Sequence, residues 1–189
     1  MNEIYIKVMI TQYEVNTPFG LVNWCVLPVK NHLDEILSVL SSVSGMQLTR
    51  VDIKRTPDGR PEFPDCGFDA NWTHSKDTCV LAYSFTAKVG VDIEKLRPRA
   101  LRIAERFFAK EETTLLLKSG LSPEKALRQF YRIWCRKEAL FKCIGGSFLS
   151  GVLSRNVLED EVDGARLIDI QLPQQPKSFA AALAVAPRI

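Results

Sequence analysis

The chain has 189 residues, with 25 Lys and Arg against 22 Asp and Glu for a formal net charge of +3, and it is 46% apolar and 25% charged. Those proportions are ordinary for a globular protein and exclude a disordered, collagen-like or membrane-spanning chain; the length suits one domain, or two small halves sharing a core. A surplus of +3 does not mark a nucleic-acid binder.

Ile4, Ile6 and Val8 alternate with Tyr5 and Lys7, which predicts a half-buried strand, and Glu3 stands where a secretory signal would carry basic charge. Leu21–Val29 predicts a second strand. Leu33, Ile36, Leu37, Leu40 and Val43 then recur at helical spacing, with Asn31 as a candidate N-cap, Asp34 and Glu35 in the first turn and Gly45 as the stop. Gln47–Lys54 alternates again and predicts a strand, followed by turns across 57–65. Cys79–Phe85 and Val89–Ile93 predict two strands joined around Ala87-Lys88. Past Pro98 the pattern turns helical, over Leu101–Phe108 and over Glu111–Lys118, which Gly120 closes. A long helix starts at Ser122, with Pro123 at its first position, and runs to about Ile144 before Gly145-Gly146. Arg166–Leu172 and Ser178–Val185 predict the closing strands. The order suggests two similar α+β halves meeting near Val89–Asp92, although no sequence repeat is visible.

The longest apolar run, 179–187, falls far short of the ~20 residues of a membrane helix. Cys25, Cys66, Cys79, Cys135 and Cys143 are scattered and contain no C-x-x-C pair. They read as reduced thiols, so the chain is expected to be cytoplasmic. No G-x-G-x-x-G, G-x-x-x-x-G-K-[ST] or H-E-x-x-H pattern occurs.

Chemistry concentrates in three segments. On the strand Gly90-Val91-Asp92-Ile93-Glu94, Asp92 and Glu94 share one face while Val91 and Ile93 share the other. Two such carboxylates either lie on a solvated edge or hold a hard divalent ion such as Mg²⁺. On the long helix a wheel places Leu127, Phe130, Trp134, Phe141 and Ile144 on a buried stripe, with Lys137 and Glu138 inside or at its margin. Lys142 follows Glu138 by one turn, and Arg128, Arg132 and Arg136 line the opposite face. Lys137 and Glu138 either pair with each other or look into a polar cleft that holds a metal and an anion. The third segment is Asn71-Trp72-Thr73-His74-Ser75, a histidine between hydroxyls. Such a histidine is either structural or suited to phosphate oxygens.

Taken in order, these segments resemble the 4'-phosphopantetheinyl transferases of the larger, surfactin-synthetase type. Gly90-Val91-Asp92-Ile93-Glu94 resembles that family's G-x-D-x-E strand, and 134–142 resembles its W-x-x-K-E-[AS]-x-x-K helix, with Glu138 46 positions after Asp92. Gly59-Arg60-Pro61 is similar to its G-[KR]-P turn, 71–75 to its N-x-S-H-S segment with Thr73 in place of serine, and Arg106-Phe107-Phe108 to its R-F-F. The resemblance spans about Gly59 to Gly146. It implies an α+β fold of two similar halves, each a small antiparallel sheet packed on a long helix, related by a pseudo-two-fold. The division would be 1–89 for coenzyme A contacts and 90–189 for the metal site and catalytic helix, in one compact, monomeric unit.

The implied activity is transfer of the 4'-phosphopantetheine of coenzyme A to a serine hydroxyl of an acyl or peptidyl carrier protein, with release of 3',5'-ADP. By the same resemblance, Asp92, Glu94 and Glu138 hold Mg²⁺, and Glu138 accepts the serine proton. Lys142 and Lys137 neutralise the pyrophosphate, His74 and Thr73 contact a coenzyme phosphate, and Arg60 lies by the adenosine end. One feature departs from the family. The helix 31–43 contains no Lys or Arg, where the family carries a basic stretch for the 3'-phosphate; Lys30, Arg50, Lys54 and Arg55 are the nearby substitutes.

Two other classes compete. Another Mg²⁺-dependent phosphoester enzyme, a phosphatase or nuclease, would use the carboxylates and lysines, but has no need of the full 134–142 row. A non-catalytic module binding a carrier protein or RNA through the arginine ridge leaves Asp92, Glu94 and Glu138 idle. Charge is also segregated, with 13 Lys and Arg against 5 Asp and Glu between Lys95 and Lys142, a local +8 against −5 for the remainder. That segregation suits docking of an acidic carrier protein.

Overall fold

In the computed structural model, which describes residues 10–98, 102–118, 120–145, 151–173 and 178–188, the period-two stretches form two four-stranded antiparallel sheets. The first contains β1 (Gln12–Thr17), β2 (Gly20–Pro28), β5 (Asp69–Ser75) and β6 (Thr78–Ser84), in the order β1-β2-β6-β5. The second contains β7 (Ala87–Lys95), β8 (Glu161–Val162), β9 (Ala165–Asp169) and β10 (Phe179–Pro187), in the order β7-β10-β9-β8. Between them in sequence, β3 (Lys54–Arg55) and β4 (Pro61–Glu62) make a short ribbon. The helices are α1 (His32–Ser44), α2 (Arg102–Phe107), α3 (Lys110–Lys118) and α4 (Pro123–Ile144). No helix among the described residues is long and apolar enough to cross a membrane.

Alternation along the strands stacks these elements in layers. Val22 and Trp24 of β2 and Val80 and Ala82 of β6 pack against Val89, Val91 and Ile93 of β7 and Leu183 and Val185 of β10, a core between the sheets. The other faces of β2 and β6 give Cys25, Leu27, Leu81 and Tyr83 to α1, through Ile36, Leu37 and Leu40. On the far side, Ala182, Ala184 and Ala186 of β10 meet α4 through Phe130, Ile133 and Leu140. β10 therefore carries branched residues toward the first sheet and alanines toward α4, and small side chains let a 22-residue helix lie close. Each large apolar side chain buried here contributes roughly 1.5–3 kcal/mol. Ser122 caps α4 by accepting from the Lys125 N–H, ahead of Pro123, and Gly145 ends it.

The seam between the sheets follows from a second alternation. β5 and β7 are edge strands of separate sheets. Polar side chains at every other position of β5 reach across to the β7 backbone in place of a main-chain ladder. Asp69 Oδ2 accepts the Val89 N–H at 2.7 Å, Asn71 Oδ1 the Val91 N–H at 3.0 Å, and Ser75 Oγ the Lys95 N–H at 3.1 Å. Those bonds satisfy an edge that burial would otherwise leave unpaired.

Several sequence expectations are corrected. Gln47–Lys54 is not a strand: a 3₁₀ turn occupies Arg50–Asp52, Asp52 accepts from both the backbone and the hydroxyl of Thr49, and Val51 stays 75% exposed. Only Lys54, at the end of the stretch, enters a ladder, as the start of β3. Asn31 is the N-cap of α1 as expected, but it caps through its carbonyl, which receives the Asp34 and Glu35 N–H groups, and not through its side chain. The turn before β7 falls at Phe85-Thr86, because Ser84 Oγ accepts from the Thr86 and Ala87 N–H groups and starts the strand at Ala87. β9 ends at Asp169, while the strand expected over Ile4–Val8 and the expected helix start at Leu101 lie outside the described residues. The two helices also differ, α1 having 13 residues and α4 having 22.

The wheel of α4 is revised as well. Arg136 is only 2% exposed, and its guanidinium reaches Asp169, Asp160 and the carbonyls of Val157, Leu158 and Glu159. Arg132 donates to Asp169 and Arg128 to Glu124. Of the arginine ridge, Arg136 is therefore covered by 157–160 and β9, a tertiary contact that no helical wheel contains, while Arg128 stays partly exposed beside Glu124.

Candidate active site

The site forms where α4 crosses β7, and Gly90 sets the distance between them. A Cβ at Gly90 would stand 2.2 Å from the Ala139 carbonyl oxygen and 2.6 Å from the Cys143 nitrogen, both on the α4 backbone. Only glycine permits that approach. Directly beyond it, Asp92 points from β7 toward α4 and meets Lys142, whose Nζ lies 2.7 Å from Asp92 Oδ1, 3.2 Å from Thr73 Oγ1 and 3.3 Å from the Val91 carbonyl. Thr73 also donates to Asp92 Oδ1 at 3.3 Å. At this one position of β5 the side chain thus turns from the seam to the carboxylate.

Arg60 fastens the arrangement. It is 7% exposed, donating through Nε to the Lys142 carbonyl at 2.7 Å and through Nη2 to Asp69 and to the Val89 carbonyl at 3.0 Å. Its guanidinium thereby ties the end of α4 to β5 and β7. Those donors are therefore spent within the protein.

Asp92 is 5% exposed, and its Oδ2 is buried without a hydrogen-bond partner. Glu94, two residues on, accepts from Ser75 Oγ at 3.2 Å. From α4, Glu138 is half-buried and its carboxyl is pushed up to about 7, first by burial and then by the Asp92 and Glu94 charges, against the pull of Lys142. The three acids and Lys142 therefore share one electrostatic neighbourhood. Among the described residues no three of His, Cys, Asp or Glu are gathered tightly enough to cage a metal unaided. The oxygen-only donors and the orphaned Asp92 oxygen nevertheless fit Mg²⁺, which one or two carboxylates commonly hold while substrate phosphates and water complete the shell.

Lys137 is a correction. It is fully enclosed, its ammonium 2.8 Å from a Glu112 carboxylate that is equally enclosed, bonded to the Arg155 carbonyl and 5.0 Å above the Phe108 ring. Glu112 in turn receives the Ala109 and Val157 N–H groups. Burial drives the Lys137 pKa down, with Glu112 opposing that shift. This is a structural pair inside the α3–α4 packing, with no exposed surface for a pyrophosphate to reach.

Beside Lys142 opens a cavity of about 270 Å³, walled by Trp72 and Phe141 and by the 58–61 turn, with Arg55 at its rim. His74 is exposed on the same face of β5 as Trp72. The structure thus brings Asp92, Glu94, Glu138, Lys142 and Thr73 together, sets Arg60 beneath them, leaves His74 along the strand and removes Lys137. Sequence reading missed the close approach at Gly90 and the clamp of Arg60. The alternation Asp69, Asn71, Thr73, Ser75 was the available signal for the seam.

Comparison with known proteins agrees with this geometry. A family model described as the 4'-phosphopantetheinyl transferase superfamily matches residues 88–185, which hold β7, α4 and β10. The chain is similar to the 4'-phosphopantetheinyl transferase HetI of Nostoc, 32% identical over 114 residues, which are 57% of this chain and 47% of that protein. It is similar to AcpT of Escherichia coli, another named 4'-phosphopantetheinyl transferase, 39% identical over 92 residues, 47% of this chain and 46% of that one. Sfp of Bacillus subtilis, named likewise, is 37% identical over 82 residues, 43% of this chain and 34% of its own length. The chain spans less than half the length of each of these relatives. With more than half of its residues under the family model, and with the carboxylate strand and lysine helix of that match meeting at Gly90, this chain belongs to the 4'-phosphopantetheinyl transferase superfamily.

Proposed function

We propose that the chain transfers 4'-phosphopantetheine from coenzyme A to a serine hydroxyl of an acyl or peptidyl carrier protein, with Mg²⁺ held by Asp92, Glu94 and Glu138. The observation that carries this reading is the meeting of Asp92, Glu138 and Lys142 beside an aromatic-walled cavity. Trp72 and Phe141 offer flat faces to a nucleobase, and Lys142 stands where a pyrophosphate leaving that cavity would pass. The serine oxygen forms a bond to the phosphorus next to pantetheine, the bridging P–O bond breaks, and 3',5'-ADP takes the electron pair. Mg²⁺ bound at the carboxylates supplies charge neutralisation on the pyrophosphate oxygens. Glu138, half-buried beside Asp92 and Lys142, takes the serine proton, directly or through water. Lys142 opposes the charge that grows on the departing phosphate, and Thr73 and Asp92 keep its ammonium in place.

In this reading residues 1–89 supply most contacts to the coenzyme and 90–189 the metal site, as halves related by a pseudo-two-fold in a cytoplasmic monomer. The exposed cations Lys95, Arg97, Arg102 and Arg106 face an acidic carrier protein. The test is intact-mass spectrometry of an apo carrier protein incubated with the chain, coenzyme A and Mg²⁺. A phosphopantetheine mass gain that EDTA and Glu138→Ala both abolish is the expected result. No gain on either a fatty-acid or a peptide-synthetase carrier would refute the proposal.

A further inference from the structure

Polar side chains of β5 reach the β7 backbone, and one of them carries a charge that the seam does not require. Asn71 and Ser75 serve the Val91 and Lys95 N–H groups as neutral acceptors, and an asparagine at 69 could serve Val89 in the same way. Asp69 instead holds a second partner. Its Oδ2 accepts from Arg60 Nη2 at 2.5 Å as well as from the Val89 N–H at 2.7 Å. The pair is nearly enclosed, with the side chains 5% exposed at Arg60 and 13% at Asp69. Taking two charges out of water offsets most of their attraction, so the pair adds little to stability and its worth lies in the geometry it fixes.

That geometry runs through Val89 and Lys142. Arg60 Nη2 also donates to the Val89 carbonyl at 3.0 Å, so the ion pair grips both the N–H and the C=O of the residue before Gly90. Arg60 Nε donates to the Lys142 carbonyl at 2.7 Å. Lys142 lies in the last turn of α4, where carbonyls lose their in-helix partners and a cation suits the negative end of the helix. Its ammonium meets Asp92 at 2.7 Å and Thr73 at 3.2 Å. Lys142 is therefore held at both ends, by Arg60 at the backbone and by Asp92 at the tip. The hold at the backbone depends on Asp69, because Glu62, a second acid beside Arg60, stands 4.0 Å away and is 41% exposed. Without the Asp69 carboxylate the guanidinium keeps the carbonyls of Pro61, Val89 and Lys142, but loses the charged contact that orients its planar fork.

We infer that Asp69 is a positioning residue for transfer, orienting Arg60 so that the last turn of α4 holds Lys142 against Asp92. The inference rests on the proposed transferase reading and adds to it a residue outside the 71–75 segment. It is tested on the full chain with Asp69→Asn, which leaves an oxygen for the Val89 N–H and removes the charge, beside Glu62→Gln as the control. Asp69→Asn should lower kcat about ten-fold, part of the roughly hundred-fold that a misplacement of about 1 Å costs, and leave KM and the calorimetric Kd for coenzyme A within about two-fold. Glu62→Gln should leave all three at their wild-type values. Arg60→Lys keeps the charge without the fork and should lower kcat as much, and the double variant should lose no more than either single one. Hydrogen exchange followed by mass spectrometry, without coenzyme or carrier protein, should quicken over 141–145 in Asp69→Asn and stay unchanged in the first turn of α4. A wild-type kcat in Asp69→Asn, an equal loss in Glu62→Gln, weaker coenzyme A binding at unchanged kcat, additive losses in the double variant, or a kcat loss that disappears once the folded fraction is measured by urea unfolding would each overturn the inference. Absence of transfer by the wild type would overturn the transferase reading, and exchange over 141–145 would then decide the tie alone: quickened exchange upholds it and unchanged exchange overturns it.

Discussion

Gly90→Ala separates the close approach of α4 to β7 from every other feature of the site. The new Cβ would lie 2.2 Å from the Ala139 carbonyl oxygen, whereas ordinary contact begins at 3.4 Å, so the helix must retreat by 3.4 − 2.2 = 1.2 Å. The obstructing atoms are backbone and cannot rotate aside. The cost therefore sits at or beyond the top of the ~1–3 kcal/mol range for overpacking a core. With a urea slope of about 2 kcal/mol/M, that lowers the unfolding midpoint by roughly 1.5 M. The same retreat carries Glu138 and Lys142 away from Asp92, and misplacement by about 1 Å costs on the order of a hundred-fold in rate. Urea unfolding followed by circular dichroism, beside transfer measured by intact mass, reads both effects. Gly45→Ala is the internal comparison: its φ is +70° but nothing lies within 4 Å, so it should cost only ~1 kcal/mol and spare transfer. A Gly90→Ala protein within about 0.5 kcal/mol of the wild type would refute the reasoning, since surface-like tolerance is incompatible with so short a contact.

Two further outcomes follow from buried charge. Folding raises the Glu138 carboxyl from 4.5 to about 7, so the folded chain keeps a proton that the unfolded chain has lost between those values. In EDTA, stability should fall as pH rises through that window. Glu138→Gln should abolish the fall, becoming more stable than the wild type at pH ~8 and no more stable at pH ~4.5; parallel curves for the two proteins in thermal melts would count against the assignment. Lys137→Met leaves the enclosed Glu112 carboxylate without its cation and should cost about 3–5 kcal/mol, read by urea unfolding. The folded fraction of that variant should retain the wild-type KM for coenzyme A; a selective rise in KM at unchanged stability would return Lys137 to the substrate.

The sequence by itself determined the elements whose signals are local. Ser122, Pro123 and Gly145 bound α4, and the alternation in 179–187 marks β10, because capping and side-chain period depend only on neighbours along the chain. Asp92 and Glu94 on one strand face, with Glu138 and Lys142 one turn apart, were legible for the same reason. Tertiary structure alone decided which charges are sealed inside the fold and which stay open to the cavity. Lys137 and Lys142 are five residues apart on one helix, yet one is sealed against Glu112 and the other opens onto Asp92 and the cavity. Arg136, placed on the outer face by its angle, is buried because 157–160 and β9 fold over it. Arg60, legible only as part of a turn, became the tie between α4, β5 and β7. The alternation of 47–53 yields no strand because only Lys54, at its end, finds a partner, in β4. The periodicity of a chain specifies the face of its own helix or strand; what covers that face depends on residues distant in sequence, and in this protein that covering separates the enclosed Lys137 from the open Lys142.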